Sequence, residues 1–134
     1  MTRVETVTHE GRQMAIVIRG GPREPGTHFA TPPSMAQQVA VARWERGTVI
    51  APHQHVNVQG SPGGVVEVLV IQAGIANVQL YSEDGAQFAC LELSVGDVIV
   101  LAAGAHGLEA IETVQAVLIR QGPFMGDGKV RSVN

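Results

Sequence analysis

The sequence predicts an all-β fold, a sandwich or barrel of short strands. Three observations carry that expectation: short runs in which apolar and polar residues alternate with period two, glycine-bearing turns spaced between them, and the lack of any stretch that combines a sustained 3.6-residue period with helix caps. With 45% hydrophobic but only 4% aromatic residues, the core has to be built from Val, Ile, Leu and Ala. Valine is the most strand-prone of these.

In chain order, Val4–Thr8 and Met14–Ile18 read as two strands around the polar turn His9–Gln13. Gly20–Gly26 is a loop by composition and Thr31-Pro32-Pro33-Ser34 a second break, since glycine and proline oppose regular pairing. Gln37–Trp44 alternates as a strand, Gly47 turns the chain, and Val49–His55 follows as another strand. Val56–Gly64 is rich in turn residues and reads as a loop. Glu67–Gln72 is a strand that Gly74 turns into Ala76–Tyr81. Asp84-Gly85 is a hairpin signal leading to Gln87–Leu93, because such turns need positive φ. Val98–Leu101 reads as a buried strand, Ala102–Gly107 as a loop and Val114–Arg120 as the last strand; the tail, Gly126–Asn134, carries no clear pattern.

The 134 residues suit one domain, 1–134. A formal charge of -3 and a pI near 5.9 offer no basic stripe, which argues against nucleic acid and against an anionic membrane surface as partners. The longest apolar run, Val98–Ala105, falls well short of the roughly 20 residues of a spanning helix. Charges at Arg3, Glu5, Glu10 and Arg12 interrupt the first residues as no secretory leader would, so a cytoplasmic location is the expectation. Cys90 is the single cysteine and excludes an intrachain disulfide; its apolar neighbours Phe88, Ala89 and Leu91 predict a buried thiol.

The chemistry concentrates in the middle of the chain. His53 and His55 lie two residues apart on a strand, and side chains two apart share one face. Glu67 opens the next strand and His106 follows a later hairpin, so a set of three nitrogens and one oxygen is available. Neutral imidazole suits Zn, Fe, Ni or Mn, and a carboxylate adds neutralising charge. The bland alternatives are rim histidines at 53 and 55, a turn histidine at 106, and a Glu67 paired to Arg43 or Lys129. Arg43, Gln79, Tyr81, Gln115 and Arg120 are candidates to line an interior, and parity does not choose among them.

The order Gly47, His53, His55, Glu67, Gly74 and then Gly96, Gly104, His106 resembles the two motifs of the cupin superfamily across Gln37 to Arg120. The resemblance implies a double-sheet β-barrel of jelly-roll type, commonly a homodimer, with a divalent transition metal (Fe, Mn, Ni or Zn) held by His53, His55, Glu67 and His106. Three departures stand out. Val56–Gly64 lengthens the gap between His55 and Glu67, Ala102 stands where proline is usual, and one residue rather than two separates Gly104 from His106. In a strand, a one-residue slip reverses the face of a side chain.

Three functions compete on these grounds. The first is a metalloenzyme with oxygenase or isomerase chemistry on a small polar substrate. The second is a non-catalytic module that binds a small molecule, a sugar or carboxylate. The third is a metal-free sugar isomerase or epimerase, which needs a histidine oriented by an acid. No His-acid dyad is evident in the sequence, and that ranks the third reading last.

Overall fold

A computed structural model describes residues 3–55, 66–123 and 130–132. Its ten strands are β1 (Val4–His9), β2 (Arg12–Ile18), β3 (Gly26–Phe29), β4 (Gln37–Trp44), β5 (Val49–His55), β6 (Glu67–Tyr81), β7 (Gln87–Leu93), β8 (Val98–Leu101), β9 (Ala105–Gln121) and β10 (Val130–Ser132). The all-β expectation holds: the described residues contain no α-helix, and hence none long and apolar enough to cross a membrane. The loop expected at Val56–Gly64 lies outside the described residues.

Two long strands organise the architecture. β6 and β9 pair antiparallel from Glu67↔Arg120 to Tyr81↔Ala105. One end of the pair is flanked by β4 and β8, with β3 beyond β4; the other is flanked by β5 and β7, with β10 beyond β5. Between the two ends the β6–β9 register shifts repeatedly from Ile71 to Ala76, and such bulges bend a strand. The bend turns one ladder into two half-sheets whose inner faces meet in a single core. Ala42, Trp44, Leu69, Ile71 and Val114 come to it from one half, and Ala76, Val78, Leu108 and Ala110 from the other.

The differences from the sequence reading are local. β6 is one strand, not two: Gly74 sits at φ 82° inside it, and a Cβ there would collide with the Thr113 carbonyl of β9. Glycine permits a bulge at that point rather than a turn. β9 likewise starts at Ala105, so the expected loop Ala102–Gly107 is half strand. β3 falls where composition alone shows no strand, and the adjoining segment places the largely buried Arg23 guanidinium against the carbonyls of Ala42 and Ala116, at 3.4 and 3.1 Å.

Val98–Leu101 is not a buried strand. Val98 and Val100 are 56% and 58% exposed, while Leu101 belongs to the core and the half-buried Ile99 packs against it. Their row continues over the outer face of the sheet, Val100–Val68–Ile119–Val39 in one register and Val98–Val70–Val117–Val41 in the next. Both faces of this half-sheet are therefore aliphatic, and an alternation test alone reads that as burial. β2 lies beside the β4 end of the outer face, where Met14, Ile16 and Ile18 line a groove with Val39. Cys90 is exposed rather than buried, because it belongs to the outward phase of β7 with Phe88.

Candidate functional site

Between the half-sheets lies a cavity of about 230 Å³. Three of the four expected ligands line it: His53 from β5, Glu67 from β6 and His106 from β9. The side chain of His55 lies outside the described residues.

Each position has a local cause. On β5, the step from Ile50 to His53 spans three residues while β9 steps two, from Leu108 to His106. This extra residue changes the strand's phase, and it lets Ile50 and His53 both face the cavity despite their odd spacing. His106 shares the even phase of β9 with Leu108, Ala110, Val114, Ala116 and Leu118, all facing inward, with the exposed Glu112 breaking that phase at the bend. The departure before it is absorbed at Gly104, whose φ of 74° and close approach to the Tyr81 carbonyl both exclude a side chain. Glu67 opens β6 in phase with Leu69 and Ile71 and is itself 5% exposed.

The three groups converge. The His53 and His106 rings have centroids 4.5 Å apart at an interplanar angle of 60°. His106 Nε2 lies 3.6 Å from Glu67 Oε1. The sequence reading found no His-acid pair; the structure places one here, because the β6–β9 and β5–β9 ladders bring distant residues together. His53 Nδ1 donates to the Ala51 carbonyl at 2.9 Å, which holds the ring and directs its Nε2 lone pair the other way. Burial pushes the His53 pKa below the usual histidine range, against the Ala51 carbonyl, which raises it; His106 and Arg120 lower it further and Glu67 opposes them. A neutral imidazole with one nitrogen oriented by a carbonyl is the form that ligates a metal.

Arg120 is the member that parity did not identify. It sits directly opposite Glu67 in the β6–β9 register, lines the cavity, and stacks on the Phe29 ring with Cζ 4.7 Å from the centroid. Burial lowers its pKa while the Glu67 carboxylate raises it. Of the two partners expected for Glu67, Arg43 lies 3.6 Å from Glu45 instead, and Lys129 is outside the described residues. Once β9 is one strand, the phase from Leu108 through Leu118 delivers Arg120 to the interior. Thr27 and Phe29 were missed as well, because β3 is only four residues long. Gln38 is 1% exposed and holds the Thr31-Pro32-Pro33 segment, accepting from Thr31 Oγ1 at 2.8 Å and donating to the Pro32 carbonyl at 2.9 Å.

Among the described residues no group of three or more His, Cys, Asp or Glu stands in an arrangement that could hold a metal ion as it is. The donor set nonetheless fits a divalent ion in kind: two imidazoles and a carboxylate on three strands, with a fourth donor in sequence at His55.

No protein-family model and no curated protein matches the sequence. Solved structures do match. A variant of Bacillus subtilis oxalate decarboxylase superposes with a TM-score of 0.63 at 19% identity, over 82% of this chain and 29% of that one. KdgF from Halomonas sp. gives 0.56 at 22%, over 75% and 80%. A double-stranded β-helix protein from Klebsiella pneumoniae gives 0.60 at 18%, over 87% and 90%. The chain thus spans only 24–29% of the oxalate decarboxylase, a protein described as having Mn(II) centres. At these identities the likeness speaks to architecture, and it agrees with the bent β6–β9 ladder: the chain has the cupin-type, double-stranded β-helix fold.

Proposed function

We propose that this protein binds a divalent transition metal, Fe, Mn, Ni or Zn, at His53, His55, Glu67 and His106, and uses the adjoining cavity for a small molecule. The observation that carries this reading is the convergence of His53, His106 and Glu67 from three different strands on one cavity wall. Such an ion supplies Lewis acidity and charge neutralisation at the end of the cavity.

The chain's own groups do the rest. The Ala51 carbonyl fixes the His53 tautomer, and Glu67, 3.6 Å from His106, supplies negative charge. Leu69, Val78, Leu101 and Leu108 form an apolar wall, whose low polarity strengthens the polar contacts beside it. The untagged protein, analysed for bound metal, is expected to carry about one equivalent, or to take it up on addition of the four ions. Less than about a tenth of an equivalent under all conditions overturns the reading.

A second reading is favoured by one observation, the 3.6 Å approach of His106 to Glu67. An imidazole beside a carboxylate in a largely apolar cavity can serve as a general base in its own right, suited to metal-free proton transfer in an isomerase or epimerase. Turnover that survives exhaustive chelation and is lost in Glu67→Gln selects this second reading over the first.

A further inference from the structure

The cavity that offers the candidate ligands is chemically lopsided. At one end stand His53, Glu67, His106 and Arg120; the remaining wall is almost entirely hydrocarbon, from Trp44, Ile50, Leu69, Val78, Leu108 and Leu118. The wall's one indole donor is already engaged, since Trp44 Nε1 donates to Thr27 Oγ1 at 3.1 Å. A sugar, which presents a hydroxyl at nearly every carbon, would bury several of them there without partners, at roughly 1–3 kcal/mol each. Oxalate has the opposite mismatch, since it carries charge at both ends and no apolar part to fill the wall.

The polar end also has a sign. With a divalent ion bound by neutral imidazoles, the ion and Arg120 stand against the one carboxylate of Glu67, and positive charge is left in excess. Arg120 is held by its stack on Phe29, which fixes the guanidinium plane at the cavity wall. A planar fork of this kind recognises a carboxylate with two parallel N–H donors, in addition to what it offers Glu67. Phe29 is 43% exposed and so marks the side of the site open to solvent.

From this, the geometry points to a substrate class for the site: a small monocarboxylate with an aliphatic or aromatic body, its carboxylate at Arg120 and its body against the Leu69–Leu108–Leu118 wall. A space of about 230 Å³ equals roughly eight water volumes. That suits a body the size of a phenyl ring with a short acid arm. The inference rests on the metal reading for its excess charge, and on Arg120 and the apolar wall for its specificity.

The test is calorimetric titration of the Mn-loaded protein with 3-phenylpropionate, its neutral amide, and galacturonate. The acid is expected to bind at least 10-fold more tightly than either of the others. Arg120→Gln should weaken the acid by 10-fold or more with bound Mn unchanged, and Arg120→Lys, which keeps the charge and loses the fork, should fall between. Thermal unfolding of both variants verifies that they are folded, and Leu108→Asn gives an independent loss on the apolar side. Equal binding of acid and amide, tighter binding of galacturonate, or a folded Arg120→Gln protein with unchanged affinity overturns the inference while leaving metal binding intact. A protein that takes up no Mn overturns the metal reading instead. In that case the same titrations on the metal-free protein decide the inference, through the Arg120 dependence alone.

Discussion

His53 faces His106 directly across the β5–β9 ladder, with ring centroids 4.5 Å apart. Two imidazoles at that separation repel if both are protonated, and burial already disfavours the charged form of His53. His53 is therefore held in its neutral form. Neutrality is what metal ligation requires, and it is equally what a general base requires.

Stability without metal should consequently depend on pH in a definite direction. The folded-state pKa of His53 is depressed, so between that value and the unfolded value near 6.5 the unfolded chain binds more protons. The contribution is complete above about 6.5 and is lost as pH falls through the folded pKa. Urea midpoints of the metal-free protein at pH 5 and 8 should differ more in wild type than in His53→Gln. Equal differences would remove His53 as their source.

Ligand substitution should separate cause from scaffold. His106→Ala, His53→Ala and Glu67→Gln each remove one donor from the converging set, and each should weaken metal binding by about 100-fold or more. Outer partners alone are typically worth 10- to 100-fold. Glu67→Gln is the most informative of the three, because it keeps the shape of a side chain that is 5% exposed and changes only its charge. Competition titration against a chelator of known affinity reads the effect, and an unchanged affinity in that variant excludes Glu67 as a ligand.

How much of this was legible follows from what alternation encodes. Period two placed β1, β2, β4, β5 and β7 close to their observed bounds, and the spacing of His53, Glu67 and His106 marked three groups that do line one cavity. What alternation does not record is phase across a bulge. Gly74 looks like a turn in sequence because glycine favours both turns and bulges, and only the β9 backbone packed against it shows which it is. Treating Ala102–Gly107 as loop cut β9 short, and with it the phase that ties Arg120 to His106. β3 offered four residues between two glycine- and proline-rich breaks, too few to show a period, yet it brings Thr27 and Phe29 to the site. The His106–Glu67 pair is a tertiary fact: the two residues are far apart in the chain, and the ladder alone makes them neighbours.

The Gly74 bulge gives a direct stability prediction. At φ 82°, with the Thr113 carbonyl where a Cβ would go, Gly74→Ala combines left-handed strain with a backbone clash and should cost about 3 kcal/mol or more. Gly47→Ala is the control: its φ is 89°, but nothing lies within 4 Å of the added carbon, so strain alone operates and about 1–2 kcal/mol is expected. Equal losses in chemical denaturation would mean that β9 moves aside.

The two aliphatic faces of the β8–β6–β9–β4 half-sheet should answer differently to the same kind of truncation. Ile71 is 1% exposed in the core between the half-sheets, so Ile71→Ala removes three carbons from a packed site and leaves a cavity, at a cost of about 2–5 kcal/mol. Val98 is 56% exposed on the outer face, where water already reaches the side chain, and Val98→Ala should fall within about 0.5 kcal/mol. Sequence pattern makes these positions look alike, since both belong to apolar runs of adjacent strands. Urea denaturation of the two variants at a low and a tenfold higher protein concentration reads the difference. A loss at Val98 approaching that at Ile71 would show that the outer row is covered in solution, and a loss that grew on dilution would identify the cover as a second copy of the chain.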